Sequence, residues 1–83
     1  MTDTTTVDPL ANCRALAAKP AFSLFALNLR FLEEDGQHLE LVTASAARLQ
    51  GMADAYNEMF LLPNSQTRAI IDELSAYVRE LQA

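Results

Sequence analysis

The chain has 83 residues, 51% of them hydrophobic, and a formal net charge of −5. That length suits one domain, and so small a domain buries only about 60–65% of its unfolded surface. The negative charge disfavours non-specific contact with nucleic acid or anionic lipid. The single cysteine, Cys13, excludes an internal disulfide, and no run of about 18 apolar residues offers a membrane span.

Residues 1–6 are small and polar, so 1–7 reads as a disordered tail, with 8–83 as one helical domain. The first residues carry neither the basic region nor the apolar core of a signal peptide, so a cytoplasmic protein is expected. Asp8 suits a helix N-cap and Pro9 the first helical position. Leu10, Cys13, Leu16 and Ala17 follow at helical spacing until Pro20, which predicts a short helix over Pro9–Ala18. A helix of that length persists only if it docks.

From Phe22 to Leu32 two periods compete. At period two, Phe25, Leu27, Leu29 and Phe31 face one way while Leu24, Ala26, Asn28 and Arg30 face the other, as in a half-buried strand. At period 3.6, Phe22, Phe25, Leu29 and Leu32 form a helical stripe, and Leu and Ala favour helix. The alternation is the cleaner pattern, and a lone strand would pair with its copy from another subunit. Glu33, Glu34 and Asp35 then read as the start of a helix, complementing its dipole, with Asp35 as cap.

The longest pattern is the heptad stripe Leu39, Val42, Ala46, Leu49, Ala53, Tyr56 and Phe60, which predicts one amphipathic helix spanning roughly 33 Å. After Pro63, Asn64 or Ser65 is the expected cap of a last helix whose stripe is Thr67, Ile70, Leu74, Tyr77 and Leu81. The fold class expected is mostly α: an antiparallel helical hairpin with a short N-terminal helix and a single strand as one reading of 22–32. A two-helix hairpin has one internal interface and cannot cover this much apolar surface. Self-association into a four-helix bundle resolves that excess. The expected interface to a second copy or a partner is Phe22, Phe25, Leu27, Leu29, Phe31, Met52 and Met59.

Nothing convergent points to catalysis. His38 and Cys13 are single residues with no orienting group implied, and zinc-ligand spacing and a phosphate loop are both missing. No cofactor or metal is expected, and the protein reads as a non-enzyme that binds itself and a protein partner.

Strand followed by two helices resembles the order of the ribbon–helix–helix DNA-binding proteins. That resemblance implies base reading by Asn28 and Arg30 and phosphate contact at Asn64-Ser65-Gln66-Thr67-Arg68. The run Glu33-Glu34-Asp35 would repel phosphate, so nucleic acid is the alternative and not the expected partner. The order of the Phe25–Phe31 segment, Glu34-Asp35, the alanine-rich long helix and the Ile70–Leu81 helix also resembles certain short strand/helix–loop–helix proteins of pseudomonads. That second resemblance implies no activity.

Overall fold

A computed structural model describes residues 8–82 and contains four α-helices: α1 (Ala11–Ala17), α2 (Ser23–Glu34), α3 (Leu39–Glu58) and α4 (Asn64–Gln82). A 3₁₀ turn, Pro20–Phe22, leads into α2. The tail expected over residues 1–7 lies outside the described residues.

The hairpin of α3 and α4 forms as its stripes predict. Val42, Ala46, Leu49 and Ala53 of α3 are buried against Thr67, Ile70 and Leu74 of α4, and Leu49 and Leu74 have no exposed surface. Gln50 ties the pair together: its side-chain amide donates to the Ile71 carbonyl at 3.0 Å and to Ser75 Oγ at 2.9 Å.

The single strand is a correction. Residues 22–32 lie in the 3₁₀ turn and α2, and no strand occurs among the described residues. The physical reason is the competing 3.6 period. As a helix, the segment places Phe25, Leu29 and Leu32 on one buried face and lays that face against α3 of the hairpin. A strand would have needed a partner strand, and the described residues contain none.

The acidic run is a second correction. Glu33 and Glu34 close α2 and Asp35 is its C-cap, because Gly36 adopts φ +58°, the left-handed conformation that ends a helix. The next helix begins later, where the Val42 N–H donates to the His38 carbonyl at 3.0 Å, so His38 and not Asp35 is the N-cap residue. At the start of α4 the Pro63 carbonyl accepts from the Thr67 N–H at 2.9 Å. The Asn64 side chain turns instead to Asn57, 2.7 Å away.

The contacts between elements close a ring. The hairpin partners α3 and α4 pack together, α2 packs on α3, and α1 packs on both α2 and α4. The backbones of the diagonal pairs, α1 with α3 and α2 with α4, do not approach closely. Leu10, Cys13 and Leu16 seal the side that α1 covers. Fully burying one such aliphatic or aromatic side chain is worth about 1.5–3 kcal/mol. The second layer that the hairpin lacks is thus supplied by α1 and α2 of the same chain.

Candidate interaction surface

Helix α2 has a buried and an exposed apolar face. Leu24, Leu27 and Phe31, spaced three and four apart, share the outer face and are 61%, 41% and 42% exposed. Arg30 and Glu34, both exposed and one turn apart, border this stripe. The seam beside it is fixed by polar contacts. Asn28 Nδ2 donates to the Leu24 carbonyl at 2.9 Å, Asn28 Oδ1 accepts from Arg48 at 3.4 Å, and Asp35 accepts from Ser45 Oγ at 3.4 Å.

The residues expected at an interface therefore divide. Phe25 and Leu29 are core, and Met52 packs half-buried against the core. Phe22 is half-buried, with its ring edge-on to Tyr56 at 4.8 Å. Leu27, Phe31 and Met59 remain exposed. Leu24 also lies on the outer stripe, and the helical period identifies it once the segment is read as a helix.

A second apolar surface sits at the tip of the hairpin, where the heptad pattern places Phe60 on the buried stripe. It is 96% exposed, with φ +62°, between exposed Met59 and Leu61. The turn is a Schellman motif. The Leu61 N–H donates to the Tyr56 carbonyl at 2.8 Å and the Phe60 N–H to the Asn57 carbonyl at 3.0 Å. Phe60 therefore occupies the left-handed position that usually belongs to glycine.

On the opposite side, α1 is held by side chains from two other helices. Glu73 of α4 accepts from the Asn12 N–H and Asn12 Nδ2 at 2.7 Å each and from the Cys13 N–H at 3.0 Å. These are backbone donors of the first turn of α1, which has no cap of its own. Arg14 bridges Asp8 at 2.6 Å and Glu33 of α2 at 2.8 Å. The Arg14 hydrogen bond, with that from the Leu10 N–H, lowers the Asp8 carboxyl pKa.

Cys13 and His38 do not meet. Cys13 faces the core, and burial, with the nearby Glu73 carboxylate, pushes its thiol well above the ordinary range. His38 is exposed at the start of α3, a helix whose backbone α1 does not approach closely. No group of three metal-ligating side chains occurs among the described residues. Asn28 and Arg30 lie on a helix, Asn28 buried and bonded within the chain, so the strand on which base reading would rest is not there. No single helix among the described residues is long and apolar enough to cross a membrane. α1 and Pro20–Glu34 reach that length and composition only together, across a bend of 103°. Comparison with protein families, characterised proteins and solved structures gives no match.

Proposed function

We propose that this is a non-enzymatic interaction module of the cytoplasm that acts as a homodimer and presents an apolar and acidic helical surface to a protein partner. The observation that carries the reading is the stripe Leu24, Leu27 and Phe31, left exposed along one face of α2 outside the core. Clustered exposed apolar side chains on a small protein mark an interaction surface more often than scattered ones do. Arg30 and Glu34 supply polar groups at its edge, the usual composition of an interface rim.

The test is sedimentation equilibrium over a wide concentration range. Wild type should show a reversible monomer–dimer equilibrium. Leu27→Asp with Phe31→Asp should shift it to a folded monomer with unchanged helical circular dichroism. Phe25→Asp should instead unfold the chain, and Glu58→Lys should change neither property. A wild type that stays monomeric at every concentration would remove the homodimer from this reading.

A further inference from the structure

We infer that α1 is an exchangeable element, and that two copies of the chain join by each seating its α1 in the other's groove between α2 and α4. The inference rests on the homodimer reading above and specifies how the two copies are held.

The first ground is the way α1 is attached. It has seven residues, too few to stay helical in water by itself, so its structure comes from its seat. The seat is made by α2 and α4, whose backbones do not approach each other closely. Apart from the Arg14–Asp8 ion pair, which would travel with it, and its junction with the Pro20–Phe22 turn, α1 is held by that seat and the core: Leu10, Cys13 and Leu16 are buried, Glu73 meets its first turn, and Glu33 meets Arg14. None of these contacts requires that α1 and the seat belong to one chain.

The second ground is the joint. Ala18, Lys19 and Pro20 are all exposed, and Lys19 is already extended, at φ −86° and ψ +129°. The proline ring disfavours a helical Lys19, so α1 cannot merge into α2 and the joint is kept open. Swinging α1 away breaks few contacts outside the seat, chiefly the Lys19 N–H to Leu16 carbonyl and Phe22 N–H to Lys19 carbonyl bonds. Exchange re-forms every seat contact in the partner, so the balance is set by concentration and by new contacts near the joint.

The third ground is what lies near the joint. Leu24, the most exposed residue of the outer stripe, follows Pro20 by about one helical turn, with Leu27 one turn further. In an exchanged pair the two joints run side by side, and these side chains are the first surface the two chains share.

The experiment uses the full chain with a nitroxide on Ala15→Cys, on the exposed side of α1. Cys13 is buried and escapes the label, and Cys13→Ala repeats the measurement if labelling strays. Spin-labelled chains are mixed with isotope-labelled chains, unfolded and refolded together at high concentration. Exchange predicts that the amides of Asp72, Glu73 and Ala76 in the isotope-labelled chains are broadened in the same pattern as within one spin-labelled chain, in proportion to the dimer fraction. A dimer whose intermolecular broadening centres on α2 and spares α4 would overturn exchange while leaving the homodimer reading in place. A monomer at every concentration would overturn both.

Discussion

Glu73 and Asn12, 61 residues apart in sequence, form a double hydrogen bond in which one carboxylate oxygen accepts both the backbone and the side-chain amide at 2.7 Å. The other oxygen takes the Cys13 N–H. α4 thus supplies the cap that α1 lacks. A cap of this kind is worth about 0.5–2 kcal/mol. Glu73→Ala should lower stability within that range, and Glu73→Gln, which keeps one acceptor, by less. Urea unfolding of the three proteins measures the difference. Amide exchange should rise first in α1.

Phe60 should be more valuable to binding than to folding. A non-glycine side chain in the left-handed region costs about 1–2 kcal/mol, partly offset by the greater unfolded freedom of glycine. Phe60→Gly is therefore expected to stabilise by about 0.5–1 kcal/mol and to raise the melting temperature by a few degrees. Scanning calorimetry of the two proteins is the check. A lower melting temperature would show that the ring makes a stabilising contact despite its exposure.

Gly51 lies inside α3, its backbone is helical, and a Cβ added there would meet nothing within 4 Å. The close-approach role that glycine can have in a helix is not used here. Gly51→Ala should stabilise by about 1 kcal/mol, the difference in helix propensity. Chemical denaturation at constant protein concentration reads it, since dimerisation would otherwise shift the midpoint.

Leu49 is fully buried midway along the stripe of α3. Leu49→Ala should cost about 2–5 kcal/mol, a large share of the stability of a domain this size. An unchanged urea midpoint would place the core elsewhere.

Two groups contribute to the pH dependence of stability. The folded pKa of Asp8 is depressed below 3.8, so its contribution is present above that value and is lost as pH falls through the folded pKa. Asp8→Asn should therefore flatten the acid limb of the stability profile. Cys13 is the opposite case, with its pKa raised by burial above 9.0. Its contribution is present below 9.0 and is lost as pH climbs towards the folded value, so Cys13→Ala should flatten the profile between 9.0 and the ordinary tyrosine value of 10.0. In the folded protein iodoacetamide should leave Cys13 unmodified, with alkylation tracking the rate of opening.

The hairpin was legible because α3 and α4 carry uninterrupted stripes whose central residues face each other. α2 was harder to read because it is apolar on two faces. Leu24, Leu27 and Phe31 on the outer face fill the gaps between Phe25, Leu29 and Leu32 on the inner one, so period two and period 3.6 both fit. The acids before Gly36 suggested a helix start, yet the glycine after them was the more specific signal, since it permits the left-handed turn that ends α2. At Phe60 no residue type announced the turn, because a phenylalanine holds a glycine position. The docking of α1 depends on Glu73, a contact between distant positions that no local pattern contains.

That distance has a consequence for the order in which the protein is made. Asn12 is added to the chain well before the codon for Glu73 is read, and at roughly 5–20 residues per second the 61 additions that separate them take roughly 3–12 s. During that interval Leu10, Cys13 and Leu16 have no finished seat. The α2–α3 pair can assemble as it emerges, but the ring closes only when α4 is complete. On a crowded polysome, neighbouring nascent chains pass through the same open interval together, and under the α1 exchange proposed above translation speed would bear on which chain α1 finds.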